Sequence, residues 1–424
     1  MNKKNKEKDI DKTWAHTRKN RRSKKLHKDW TLNGKIILKL TVSVLCSCLI
    51  ITTQGTYKSQ DIFRTVVASC VMKTSLKQVC RRFKRCASLT TVRHHLKKIS
   101  LETLENRANI MLVKFATTII PKHAHRWAVD ITHKPYYGEV YQKENEIVSS
   151  QAKKGTTRFH AYATIYLIQM GKRFTLGIKY VRKGEDPRDT IDYLVEKVHA
   201  QGFSITYLLL DRGFYSAKVI NHLMHVRHIP FIMPVVVHGK DGGFRRLFKG
   251  KKSYRTLYPL HSVKEGITVT FPAHIVMKYA KGKRGKHRVE YYGYVVYGVH
   301  IPVKSTHEVY RKRFGIESSY RICWQSLPRT TSRDPKIRFL FVITSLLIQN
   351  HWIYLRWKYL SERRQGPRQI KEDKLTYADL LQLIVDALTS IYGVVTEIKT
   401  NEPLRWDKFK QELEMIKTGE KGEC

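Results

Sequence analysis

SITYLLLD, residues 204–211, decides how the rest of this chain is read. Tyr207 to Leu210 are apolar without alternation, the pattern of a strand covered on both faces. The run ends on an acid, Asp211, and the C-terminal end of a central strand is where open α/β sheets place ligand-handling groups. Just upstream, PRDTIDYLVEKVHAQG (187–202) has Pro near its start and Gly at its end, which marks a helix at both boundaries. Just downstream, SAKVINHLMHVRH (216–228) reads as a helix and PFIMPVVV (230–237) as the next strand. Further upstream lie three β-branched and aromatic stretches: WAVDITH (127–133), FHAYATIYLIQM (159–170) and KRFTLGIKYV (172–181). Gly171 turns the chain between the last two.

The order β-β-β-α-β-α-β predicts an α/β fold: an RNase-H-like mixed sheet in which three antiparallel strands feed into parallel α/β units. A basic, strand-rich stretch, 238–305, interrupts that order as a β-rich insertion. Helical pattern resumes in THEVYRKRFGIESSYRICWQ (306–325), with long helices over about 336–363 and 376–393. The expected organisation is a basic disordered tail (1–34), a helical DNA-binding region (35–115), a core in two parts (120–237 and 306–365) around the insertion, and a C-terminal helical region (366–424).

The partner class follows from charge. The 80 Lys and Arg against 35 Asp and Glu leave a formal net charge of +45, which points away from ordinary metabolic enzymes and toward a polyanion. Hydrophobic residues at 42% and aromatics at 11% exclude a disordered basic arm. Seven cysteines, an odd number with no CxxC pair, exclude zinc knuckles and a secreted disulfide scaffold. The apolar run Ile36 to Ile51 contains Lys39 and is shorter than the roughly 20 residues of a membrane span, so it reads as buried core and no membrane partner is expected. Within 35–115, Leu76, Val79, Cys80 and Phe83 share one helix face and Val92, Leu96 and Ile99 another. The second helix offers Arg93, His94, Lys97 and Lys98 outward, as a helix-turn-helix DNA reader or a plain helical hairpin would.

Three carboxylates stand out. Asp130 sits inside an apolar strand, a costly place for an acid without a partner or a metal. Asp211 ends the adjacent strand, and adjacency would bring the two onto one edge. On the helix after the insertion, Tyr310, Arg313, Glu317, Arg321 and Trp324 fall on one face at 100° per residue, a mixture poorly suited to a core. Carboxylates from two strands and a helix suit hard divalent cations, and two Mg²⁺ ions would drive in-line phosphoryl transfer with no covalent protein nucleophile.

WAVDITHKPYYG, LLLDRGFYS and YRKRFGIESSYR resemble the three acidic motifs of DDE insertion-sequence transposases, in the group with a β-strand insertion before the catalytic Glu. That group's Tyr-x2-Arg-x3-Glu-x6-Lys signature is matched by Tyr310, Arg313 and Glu317, while its Lys position is Trp324 here. The resemblance covers about residues 120–365. It implies catalysis and metal binding by Asp130, Asp211 and Glu317, two Mg²⁺ ions with Mn²⁺ able to substitute, and DNA contacts from Tyr310 and Arg313. It also implies binding of terminal inverted repeats and target DNA, a synaptic homodimer, and a prokaryotic cytoplasmic, nucleoid-associated setting. In place of the missing Lys, Arg321 is expected to clamp phosphate and Trp324 to stack on an unpaired base. Two alternatives stay open: a catalytically inactive DNA-binding derivative, and a Tyr nickase built on the His-hydrophobic-His triplet His123-Ala124-His125. The runs RRLFKGKK (245–252) and KGKRGKHR (281–288) read as basic loops that grip phosphates.

Overall fold

The computed structural model describes residues 31–53, 55–139, 144–169, 171–237, 242–250, 252–281, 287–364, 366–370, 374–397 and 405–418. The basic tail up to residue 30, Lys251 of the first basic run and residues 282–286 of the second lie outside the described residues.

Five helices come first: α1 (Gly34–Cys48), α2 (Ser59–Val71), α3 (Leu76–Arg82), α4 (Leu89–Lys97) and α5 (Leu101–Val113). Asn33, Ser75, Ser88 and Ser100 each accept an N-terminal backbone N–H of the helix they precede, so α1, α3, α4 and α5 begin at side-chain caps. The sheet follows as β1 (Ala124–Pro135), β2 (Val148–Lys153), β3 (Thr156–Leu167) and β4 (Thr175–Val181). Next come α6 (Pro187–Ala200), β5 (Ser204–Leu210), α7 (Ala217–Asn221) and β6 (Phe231–Pro234). β1 pairs antiparallel with β3 and parallel with β5, β3 pairs antiparallel with β4, and β5 pairs parallel with β6. That is the RNase-H-like arrangement expected from the strand order. The short strand β2 was not expected from the sequence; only Val148 and Ser150 of its six residues are less than fully exposed, so it carries little apolar signal.

The β-rich stretch forms β7 (Tyr254–Ser262), β8 (Ile267–Lys281) and β9 (His287–Tyr297). These strands extend the main sheet. β9 pairs antiparallel with β6 from Phe231↔Tyr297 to Pro234↔Tyr294, and the order along the sheet is β2-β3-β1-β5-β6-β9-β8-β7.

The segment 306–325, expected as one helix, is broken. α8 (Thr306–Arg311) passes through a 3-10 turn at Lys312–Phe314 into α9 (Gly315–Cys323). Close approach explains Gly315: a Cβ there would lie 3.0 Å from both the Arg173 guanidinium carbon and the Tyr166 hydroxyl. A larger residue there would push those two side-chain ends aside.

α10 (Pro335–Tyr359) runs through the core, and α11 (Tyr377–Tyr392) packs against α1 and α2. Gly34 lets α1 approach α11, since a Cβ there would fall 1.9 Å from the Leu383 carbonyl oxygen. One apolar cluster joins α1–α5, one face of the sheet through Trp127, Val129, Leu208 and Leu210, and α10 with α11. The other face, with Ala128, Tyr166, Tyr207 and Leu209, is covered by Tyr310, Ile316 and Tyr320 of α8 and α9. Two buried asparagines bind the backbone of β4: Asn109 accepts from Ile178 N at 2.8 Å, and Asn350 both accepts from Thr175 N and donates to Thr175 O. Polar groups of an edge strand are thereby satisfied by side chains rather than by a further strand. Among the described residues no helix is long and apolar enough to cross a membrane.

Candidate active site

The β1–β5 register sets Val129 opposite Leu210, which puts Asp130 beside Asp211. Asp130 shares its sheet face with Ala128, the face covered by α8 and α9. Asp211 leaves the strand into a short 3-10 turn, Arg212–Phe214. Glu317 stands in the first turn of α9. The side chains grade outward: Asp130 is 15% exposed, Asp211 38% and Glu317 53%.

All three meet one guanidinium. Arg313, from the turn between α8 and α9, is buried. Its Nη2 lies 2.9 Å from Asp211 Oδ1 and 3.7 Å from Glu317 Oε1, and its Nη1 lies 3.6 Å from Asp130 Oδ1. Burial pushes the Asp130 carboxyl up to about 6; Arg313 opposes that rise and the neighbouring Asp211 adds to it. Arg313 Nε and Nη1 have no hydrogen-bond acceptor among the described residues, and buried unpaired donors are costly.

Tyr310 is buried too. Its hydroxyl donates to the Leu210 carbonyl at 3.2 Å, fixing α8 to the strand end that carries Asp211, and its ring lies 5.7 Å from the Arg313 guanidinium. The resemblance implied that Tyr310 and Arg313 reach DNA; in the structure both side chains point inward, to the acids and the sheet. Tyr320 supports Asp130 from behind, through a hydrogen bond to Thr164, the cross-strand partner of Asp130.

The remaining expected residues are spread out. Arg321 is exposed, and the ion-pair partner of Glu317 is Arg313 instead. Trp324 is half-buried and stacks on Tyr320, with ring centres 5.3 Å apart and planes 9° from parallel. A cation also lies on it: Lys134 Nζ is 3.1 Å from the Trp324 ring centre. The ring expected to hold an unpaired base is therefore already engaged on the protein. Arg93, Lys97 and Lys98 are exposed on α4 and its C-terminal cap, far along the chain from the acids, with Val92 and Leu96 turned into the core. His123 and His125 lie at the start of β1, with His123 Nδ1 and His125 Nε2 3.0 Å apart and His125 Nε2 also 2.8 Å from the Pro121 carbonyl. His123 Nδ1 and His125 Nε2 are thus engaged by each other and by the backbone.

Lys134 was not singled out from the sequence. The available signal was its spacing: four residues after Asp130 in a strand is the same face. Tyr320 and Thr164 gave no signal, since their pairing depends on how α9 crosses β3.

The donor set fits a hard divalent cation, being three carboxylates with oxygen ligands only. As placed, Arg313 stands between them, and among the described residues no three His, Cys, Asp or Glu side chains are close enough together to hold an ion by themselves. The guanidinium occupies the position of positive charge that the acids share.

With that geometry in place, comparison with known proteins is informative. A family model described as a transposase DDE domain matches residues 127–350, more than half of the chain. The chain belongs to that family. The match begins in β1 just before Asp130 and ends in α10, so it spans all three acids. A solved piggyBac transposase synaptic complex with hairpin DNA is similar at 10% identity, covering 91% of this chain and 87% of that one, with a TM-score of 0.47. No curated protein matches this chain. DDE transposase domains typically use divalent metal ions.

Proposed function

We propose that this DDE transposase-domain protein is the transposase of an insertion sequence. It binds the element's terminal inverted repeats, cleaves DNA strands there and transfers the 3′ ends to target DNA. The observation that carries the reading is the convergence of Asp130, Asp211 and Glu317, from two strands and a helix, on the buried guanidinium of Arg313. A solvated helix face or three unrelated structural acids would not share one buried cation.

Asp130, Asp211 and Glu317 would hold two Mg²⁺ ions, with Mn²⁺ able to substitute. Bound there, the ions supply charge stabilisation at the phosphate and acidify the attacking water or 3′-hydroxyl. Arg313 has a role of its own: one positive charge among three carboxylates limits their repulsion and keeps them in register. Tyr310 holds that assembly against the end of β5 through the Leu210 carbonyl. The exposed Arg93, Lys97 and Lys98 of α4 contact the duplex away from the cut, and the catalytic assembly works as a homodimer that brings two ends together. The setting is the prokaryotic nucleoid.

The test is cleavage of a duplex built from the DNA flanking the gene. Asp130→Asn, Asp211→Asn and Glu317→Gln should each lower Mg²⁺-dependent cleavage at least 100-fold while leaving duplex binding within a few-fold, because phosphate affinity comes from distant Lys and Arg. Near wild-type cleavage by any one of the three would remove it from the site.

A further inference from the structure

The face of β1 that carries Asp130 also carries Thr132 and Lys134. Lys134 stands four residues on, roughly 13 Å along the strand, too far to touch the reacting phosphate. Its ammonium lies over Trp324, and Trp324 is held in place by its stack on Tyr320. Among the described residues Lys134 forms no ion pair. The neighbours that act on it are first the thiol of Cys323, itself kept neutral by burial, and then Lys154 and Lys73, both of like sign. Burial pulls the Lys134 ammonium down to about 7. An indole face attracts a cation but does not replace the water or the counter-ion lost on burial.

The two outer lysines are exposed and come from separate turns. Lys154 is in the hairpin between β2 and β3, and Lys73 is in the turn leading from α2 into α3. Both hold left-handed backbone, at φ 54° and 51°, a conformation that non-glycine residues adopt only where the turn demands it. Lys134 thus stands on the face of Asp130, seated on an indole, with like charges from two other turns acting on it and no carboxylate beside it.

We infer that Lys134, seated on Trp324, grips a phosphate of the DNA strand that flanks the scissile bond. The inference rests on the DNA-cleaving reading above. It makes Trp324 the platform of a phosphate-binding lysine.

The experiment uses the full chain and a duplex built from the DNA flanking the gene, in Mg²⁺. Lys134→Met keeps the length of the stem and removes the charge. It should lower kcat/KM for cleavage at least tenfold and reduce the slope of log K against log salt by about one, the signature of one lost phosphate contact. Its Tm should equal or exceed that of wild type, because an unpaired half-buried charge has been removed. Lys134→Arg should restore the salt slope and most of the cleavage. The inference is overturned if Lys134→Met keeps both the wild-type slope and the wild-type rate. It is also overturned if Lys134→Met loses Tm and activity together without rescue by Arg, which would make Lys134 a packing residue. Failure of the underlying reading looks different: wild type and Asp211→Asn would then cleave equally poorly, and the salt slope of binding alone would still decide whether Lys134 touches phosphate.

Discussion

Arg313→Met should separate the two roles that meet in this site, keeping the acids together and completing the chemistry. The substitution keeps an unbranched stem and deletes the charge that Asp130, Asp211 and Glu317 share. At an effective dielectric near 20, a unit-charge attraction over the observed 2.9 to 3.7 Å is worth roughly 4–6 kcal/mol before desolvation. The half-exposed Glu317 contributes least, since solvent screens it. Against these attractions stands the cost of burying the guanidinium, so the net loss on removing one partner of a buried pair is about 3–5 kcal/mol. For a chain of this length that corresponds to a fall in Tm of about 3–5 °C in metal-free buffer at pH 7. The acids left behind repel one another, and a divalent cation should now bind them and return much of the lost stability. Differential scanning fluorimetry with EDTA, then with millimolar Mg²⁺ or Mn²⁺, measures both effects. The wild type should gain less from the ion than Arg313→Met, because its acids already have a counter-charge. Equal Tm for the two proteins in EDTA, or equal gains on adding the ion, would refute the view that Arg313 is the charge on which the acids converge.

Acid should destabilise the fold through its buried histidines while most of its carboxylates are still ionised. His351 and His160 are buried and pulled from 6.5 to about 3, and His274 to about 4, by burial. A depressed histidine contributes stability that is complete above pH 6.5 and lost as pH falls toward the folded value; for His351 alone the loss is about 2 kcal/mol at pH 5. The slope of Tm against pH between 7 and 5 should be shallower in His351→Leu, and an unchanged slope would count against this assignment. Gly34→Ala, a change that ordinarily favours a helix by about 1 kcal/mol, should here lower Tm, because the new Cβ would meet the Leu383 carbonyl; a raised Tm would show that α1 can shift freely against α11. Replacing Arg93, Lys97 and Lys98 together by Ala should weaken duplex binding and flatten its salt dependence by about two to three phosphate contacts, read from filter binding at 50 to 200 mM salt. An unchanged slope would take α4 off the DNA.

The sheet was legible in the sequence because its strands obey simple patterns. Tyr207 to Leu210 of SITYLLLD are apolar without a break since that part of β5 is central and covered on both faces, and Pro187 and Gly202 bracket α6 as helix punctuation does. The acids were legible for the complementary reason: Asp130 breaks an apolar strand and Asp211 ends one. Periodicity misled at 306–325. A uniform 100° step places Tyr310, Arg313, Glu317, Arg321 and Trp324 on one stripe, but the 3-10 turn at Lys312–Phe314 resets the phase, so Arg313 is buried and Arg321 exposed. The attachment of the insertion to β6 was illegible because strand patterns give no pairing partner. The Lys134–Trp324 contact joins residues 190 positions apart, and nothing local in either segment marks it.

The packing of α1 against α11 has a consequence for how the protein is made. Cys48 ends α1 and Tyr377 begins α11, with more than 300 residues between them. At 5–20 residues per second, a ribosome needs roughly 15–65 s to cover that distance. During that interval Ile37, Leu38, Val42 and Leu45 have been synthesised while α11, one of the helices packed against α1, has not. The three acids that meet Arg313 also arrive in instalments, Asp130 first and Glu317 last. A nascent chain that stalls after β6 therefore carries a first helix without its contact to α11 and two of the three acids without Arg313. Completion of the C-terminal helices is the step that finishes the cover of α1.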